Sequence, residues 1–325
     1  MTGPGDSEPR PPREEPFDLK TVRSRPIGQM RHIVRVSQFG TAVPPSSSVK
    51  DLLASLPDVL GARDLRALAA HVARAHRDGR GMAVAMGGHV VKTGCSPVIL
   101  DLVRRGVVTS LHLAGSTAIH DWEIARFGET SEDVAEGLSE GQYGMADETG
   151  RAFAEASERA RADGTGLGRA LGLGLLAANA SHSGVSFLAE AARLGIPCTV
   201  HVAIGTDTVH MHPACDGAAL GEATHQDFRL ACTVASKLDH GVWMNVGSAV
   251  LLPEVFLKAI TVARNTGHAV EDLTTANFDM LSHYRPSTNV VRRPGKRGFN
   301  LIGQHEVLLP LFRMAVLGEL EGLTP

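Results

Sequence analysis

The run Gly81-Met-Ala-Val-Ala-Met86 is apolar and stops on Gly87-Gly88. A short apolar run that ends on two glycines is a buried strand entering a tight turn. After it come an amphipathic stretch from Ser96 to Arg105 and a second strand, 107–113, so the unit is β-loop-α-β. Strands joined through a helix run parallel, and a parallel sheet must be covered on both faces. Further short apolar runs at 198–204, 242–246 and about 270–276 alternate with helical patterns at 184–194, 226–238 and 253–265. A helix over 62–77, with Leu65, Leu68, Ala69, Val72 and Ala75 on one face, leads into the first strand. The expected fold class is therefore α/β, doubly wound, with a mainly parallel sheet and helices on both faces.

Composition narrows the function. The chain has 325 residues, 43% hydrophobic and 21% charged, enough to bury a large core. A formal charge of −3 provides no global attraction to nucleic acid or to an anionic membrane, so a small-molecule substrate is expected. Cys95, Cys198, Cys215 and Cys232 have no C-x-x-C spacing, which suggests neither a disulfide framework nor a thiolate zinc site. Residues 1–16, rich in Pro, Glu and Arg, are expected to be a disordered tail ahead of a single catalytic domain over 17–325. With no apolar leader and no run of about 18 uncharged apolar residues, the protein is expected to be cytoplasmic, with no membrane partner.

Open parallel sheets bind ligands beyond the carboxyl ends of their strands, which puts the interest in the loops there. Gly87 and Gly88 let the backbone approach a ligand and expose N–H groups to a phosphate. Lys92 follows in an apolar segment; it is open to three readings, an imine-forming amine, a phosphate clamp or an exposed charge. The next loop holds His120, Asp121 and Glu123, where a histidine beside carboxylates can move protons and the carboxylates can hold a cationic amine. Thr130 and Ser131 are assigned to helix capping. Gly205-Thr206-Asp207 reads as a cofactor-binding turn, and Gly247-Ser248, ahead of Pro253 and Glu254, as a β-to-α turn whose amides face a pyrophosphate. His201, His210, His212 and His225, with Asp207, Asp216 and Asp227, are an alternative metal-binding region, although no metal is assigned. The basic segment Tyr284 to Arg297 is expected to be a loop.

Gly87-Gly88-His89-Val90-Val91-Lys92, followed by Gly115-Ser-Thr-Ala118, resembles deoxyhypusine synthase, and Ala118-Ile-His-Asp-Trp-Glu123 is similar to the NAD-binding domain of archaeal-type ornithine cyclodeaminases of the same superfamily. The resemblance implies a Rossmann-like fold, NAD as cofactor, Lys92 as the imine-forming lysine, Gly115, Ser116 and Thr117 as NAD contacts, and a homo-oligomer, a tetramer in the relatives. The order of elements differs, because the lysine motif lies near the C-terminus in deoxyhypusine synthases and in the first third here.

The expected function is that of an NAD-dependent enzyme acting on a small amine or amino acid through an imine, by aminoalkyl transfer or cyclising deamination. Lys92 captures the amine-bearing carbon, His120 moves protons, and Asp121 or Glu123 holds the cation. Two alternatives stand beside it: a metal-dependent hydrolase or lyase using the His201–His225 region, and a non-catalytic nucleotide-binding protein.

Overall fold

A computed structural model describes residues 14–322. Most of the tail expected over 1–16 lies outside the described residues. The chain divides at Phe39/Gly40 into two units. In the described part of the first, 14–39, three short 3-10 turns follow one another and no residue of these turns is buried. Phe17, Ile27, Ile33 and Val36 are exposed there.

The second unit is a six-stranded sheet of β1 (Met82–Met86), β2 (Ser110–Ala114), β3 (Cys198–His201), β4 (Val242–Val246), β5 (Thr274–Asp279) and β6 (Arg297–Ile302). Every pairing is parallel and the order is β3-β2-β1-β4-β5-β6, that of dinucleotide-binding sheets. The expected fold class is thus observed. The helices are α1 (Val49–Ser55), α2 (Leu60–Arg77), α3 (His89–Lys92), α4 (Ser96–Arg104), α5 (Gly115–Phe127), α6 (Val134–Ser139), α7 (Asp147–Asp163), α8 (Leu167–Ala177), α9 (Phe187–Leu194), α10 (Gly217–Ala235), α11 (Leu251–Asn265) and α12 (His305–Leu320). Among the described residues, no helix is long and apolar enough to cross a membrane.

Side chains alternate across each strand, so the sheet builds two cores. One joins Val84 and Met86 to Leu111, Leu113, Met244 and Phe278, with Leu68 and Val72 of α2 and Phe312 of α12. The other joins Ala83, Ala85 and Trp243 to Phe256, Ala259 and Ile260 of α11. This second face also carries a buried polar ladder. Asn245 Nδ2 donates to Asn277 Oδ1 at 2.8 Å, and Asn277 Nδ2 to Asn300 Oδ1 at 2.9 Å, across three strands in register. His112 Nδ1 lies 2.8 Å from Thr199 Oγ1, which lies 2.9 Å from His201 Nε2.

Three expectations need correcting. The segment 284–297 is not a loop: Pro286–Arg292 forms π-helical turns, and β6 follows as an edge strand. Gly298 lets the two pack together, because a Cβ there would overlap the Val291 carbonyl oxygen. The helix expected from 226 begins at Gly217, where Asp216 accepts from the Ala218 N–H at 2.8 Å and caps it. His120, Asp121 and Glu123 stand on helix α5, not on a loop, because β2 passes into α5 with no intervening residue.

Candidate functional site

The connection from β2 to β3 is long and carries α5 to α9. It builds a cavity of about 880 Å³ beyond the carboxyl end of β2, lined by α5, the start of α7, the segment 129–146 and the turn 206–209. Lys92, His120 and Glu123, all expected at the site, line it together with Ser116, Thr206 and Asp207. The remaining expected residues do not line it, although Gly88 abuts it.

Lys92 is the last residue of α3 and is exposed, although the segment around it is apolar in sequence. Inside the cavity, Glu123 is the hub. Thr130 Oγ1 donates to Glu123 Oε2, and Thr149 Oγ1 donates to Glu123 Oε1 at 3.0 Å. His120 Nδ1 lies 2.8 Å from Thr130 Oγ1 and 3.8 Å from Glu123 Oε2. With its proton directed at Glu123, the Thr130 hydroxyl accepts from the His120 ring, which places the His120 proton on Nδ1 and leaves Nε2 as an acceptor. Burial works against the Glu123 carboxylate, but His120, Thr130 and Thr149 hold it below the usual carboxylate range. Thr130 is thus not a helix cap; α6 is capped by Asp133, which accepts from the Ala135 and Glu136 N–H groups.

Glu129, Glu132, Glu148 and Asp207 also line the cavity. With Glu123 they outnumber its one lysine, so the cavity carries a negative field that favours a cation. Gly88 abuts this wall, since a Cβ there would lie 3.0 Å from His120 Cδ2 and 3.3 Å from Ser116 Oγ.

Asp121 points the other way. Its buried carboxylate accepts from Ser186 Oγ at 2.6 Å and from the Phe187 and Leu188 N–H groups at 2.7 and 3.1 Å, and so caps α9. Burial pushes it up to about 6 against those donors. It holds the fold and does not reach the cavity, and Glu123 is the carboxylate that does.

The residues expected to hold a cofactor are spread over three places. Gly115, Ser116 and Thr117 open α5, but Asp207 already occupies that end: a Cβ on Gly115 would overlap its carboxylate. Asp207 also accepts from the Ala203 N–H at 2.8 Å, and burial raises it above the usual range. Thr117 is fully buried and donates to the Met86 carbonyl at 2.6 Å. Gly205 is at φ +89°, with its N–H donating to His210 Nε2 at 3.0 Å. Gly87 and Gly247 pack against each other at the boundary between β1 and β4, where a Cβ on Gly87 would overlap the Gly247 carbonyl. Ser248 is buried and its Oγ accepts from the Leu252 N–H at 3.2 Å, within the first turn of α11.

The alternative metal region comes apart. His201 is buried and hydrogen-bonded to Thr199, while His210 accepts from Gly205. His212 Nε2 lies 3.2 Å from Asp147 Oδ1, and Asp227 accepts from the Gly168 and Val200 N–H groups at 2.9 and 2.8 Å. These side chains serve a strand, separate turns and helix ends, and among the described residues no three His, Cys, Asp or Glu side chains come together as a metal site.

No protein-family model and no curated protein sequence matches the chain. Solved structures do resemble it. A conserved LOR/SDH-type protein of Methanococcus maripaludis S2 matches at 17% identity and TM-score 0.48, over 86% of this chain and 74% of that one. AgrE, in a ternary complex with ornithine and NAD+, matches at 15% and 0.49, over 81% of this chain and 34% of AgrE. A deoxyhypusine synthase-type protein of Entamoeba histolytica matches at 11% and 0.46, over 86% and 96%. The likeness is one of fold alone, and the chain spans about a third of the length of AgrE.

Proposed function

We propose that the chain is an enzyme acting on a small cationic amine or amino acid, held in the cavity that Lys92, His120 and Glu123 share. One observation carries the proposal: an amine, a proton acceptor and a ring of carboxylates line a single cavity of about 880 Å³. Glu123, with Glu129, Glu132 and Glu148 around it, holds the ammonium group. His120, oriented by Thr130, takes a proton at Nε2. Where the substrate already carries an aldehyde or ketone carbon beside its ammonium group, the Lys92 amine adds to that carbon, and expulsion of water leaves an imine.

NAD is the cofactor that the resemblance implies, and the residues present do not fit it in this conformation. The start of α5, where a pyrophosphate would gain most, is filled by the Asp207 carboxylate, and the cavity is acidic. No chemical step is therefore drawn through NAD. The exposure of Lys92 favours a second reading, in which it contacts a phosphate and no turnover occurs.

Borohydride trapping separates the two. The protein is incubated with a panel of polyamines, basic amino acids and their carbonyl analogues, with and without NAD, reduced, and examined by peptide mass spectrometry. A mass increment on Lys92, absent from Lys92→Ala, is the expected result. Nucleotide binding that is lost in Lys92→Ala, with no adduct in wild type, would replace the enzyme reading with the binding one.

A further inference from the structure

The motif Gly87-Gly88-His89 ends β1 at the point where the strand order reverses, and His89 has no role in the cavity just described. Its ring is only partly buried, and its Nδ1 lies 2.9 Å from Nδ1 of His305, the first residue of α12. His305 is fully buried, and its Nε2 lies 3.2 Å from the Phe278 carbonyl oxygen at the end of β5. The His305 ring also packs on the turn after β4, where a Cβ on Gly247, at φ +63°, would lie 2.9 Å from its Cε1.

These contacts fix where the protons sit. A carbonyl oxygen only accepts, so His305 Nε2 must carry hydrogen. Burial favours the neutral ring and lowers His305 below its ordinary value; a proton taken up by His89 acts the same way, while the Phe278 carbonyl, Asp279 and Glu306 oppose it. A neutral His305 protonated at Nε2 has a lone pair at Nδ1, and the nitrogen 2.9 Å away must then be the donor. His89 therefore donates from Nδ1, and in the neutral ring that tautomer puts the lone pair on Nε2.

We infer that His89 is a second proton acceptor at the carboxyl edge of the sheet, held in its Nδ1–H tautomer by a chain that runs through His305 to the Phe278 carbonyl. His89 can take a proton at Nε2 and release it without breaking either hydrogen bond, because Nδ1 donates in both states. His305 is a positioning residue: it acts only by setting which nitrogen of His89 is free. His89 stands three residues before Lys92 on α3, so the two share a face of that turn. The source of the proton, a substrate ammonium, rests on the amine reading above; the tautomer does not.

Long-range nitrogen-15 spectra of the imidazole rings test the inference with no ligand present. In the wild type, His89 is expected as the Nδ1–H tautomer and His305 as the Nε2–H tautomer at neutral pH. His305→Gln keeps an N–H for Phe278 and an oxygen for His89, and is expected to retain the His89 tautomer. His305→Phe is expected to lose it, and with it the reaction of His89 Nε2 with diethyl pyrocarbonate. A wild-type His89 protonated at Nε2 and bare at Nδ1 would overturn the inference, as would an unchanged His89 tautomer in His305→Phe. Should His305→Phe fail to fold, the wild-type and His305→Gln spectra still decide. The amine reading is tested separately by trapping on Lys92, so either can fail alone.

Discussion

The carboxylate of Asp207 occupies the space that a Cβ on Gly115 would fill, at the first residue of α5. A helix start attracts an anion, and here the chain supplies its own. If a dinucleotide phosphate uses the same helix end, it competes with Asp207. Asp207→Ala is then expected to tighten NAD binding by roughly 1–2 kcal/mol, about tenfold, from the charge interaction released. Calorimetric titration of NAD into both proteins measures this. Equal affinities would place any dinucleotide away from α5.

Glu123 receives hydrogen bonds from two threonines that sequence separation gives no reason to bring together, Thr130 and Thr149. A bound ammonium adds a charge-assisted partner to the same carboxylate. Glu123→Gln keeps the shape and removes the charge, and is expected to weaken binding of 1,4-diaminobutane by roughly 1.5–3 kcal/mol. Glu148→Gln, on the cavity wall, is expected to cost less, with a loss that shrinks as salt is added. Titrations at two ionic strengths distinguish them, and an unaltered affinity in Glu123→Gln would remove the amine from this cavity.

The alternation of strands and helices was legible because buried strands announce themselves locally: the expected 242–246 coincides with β4, and 81–86 differs from β1 by one residue. Lys92, His120 and Glu123 could be singled out for the same reason, since each follows a strand end, and the structure brings the three to one cavity. What was not legible depends on distant residues. Asp121 and Glu123 are two positions apart on α5, so they lie on different faces, and one meets α9 while the other meets the cavity. Nothing near them in sequence says which does which. β6 carries Arg297, Gly298 and Asn300, a poor strand by composition, and it is recruited by register with β5 and by the Asn277–Asn300 bond.

Gly87 and Gly88 are adjacent and are expected to fail differently. A Cβ on Gly87 meets backbone, the Gly247 carbonyl, which cannot yield without moving a strand end. Gly87→Ala is expected to destabilise the fold by about 1–3 kcal/mol, read as a lower urea midpoint. A Cβ on Gly88 meets His120 and Ser116 side chains at 3.0 and 3.3 Å, which can swing aside. Gly88→Ala is expected to leave the midpoint nearly unchanged while displacing His120 from Thr130, seen as a shift in the His120 ring resonances and slower trapping on Lys92. The opposite ranking of midpoints would mean that the two turns do not meet as described.

Buried groups of opposite kind set the pH dependence of stability. Burial drives the His112 ring down to about 3 and the His201 ring down to about 4, from an ordinary 6.5. Below 6.5 the unfolded chain binds protons that the folded rings refuse, so stability falls as the pH drops from 6.5 toward 3. Burial raises Asp227 to about 7 from an ordinary 3.8, despite the N–H donors of Val200, Gly168 and Leu167. Between those values the folded chain holds a proton that the unfolded chain has released, so this contribution falls as the pH rises through the window and is gone above about 7. Asp121, raised to about 6, acts in the same sense as Asp227 up to that pH, so from about 4 to 6.5 the carboxyl groups and the rings oppose each other. Urea midpoints measured from pH 4 to pH 8 separate them. Asp227→Asn, whose amide oxygen can still accept from Gly168 and Val200, is expected to remove the loss on the alkaline side and leave midpoints that climb with pH. His112→Gln, which can keep a hydrogen bond to Thr199, is expected to weaken the loss on the acid side. A wild-type profile with the same slope as Asp227→Asn would mean that Asp227 is ionised in the folded protein, its desolvation outweighed by the donors around it.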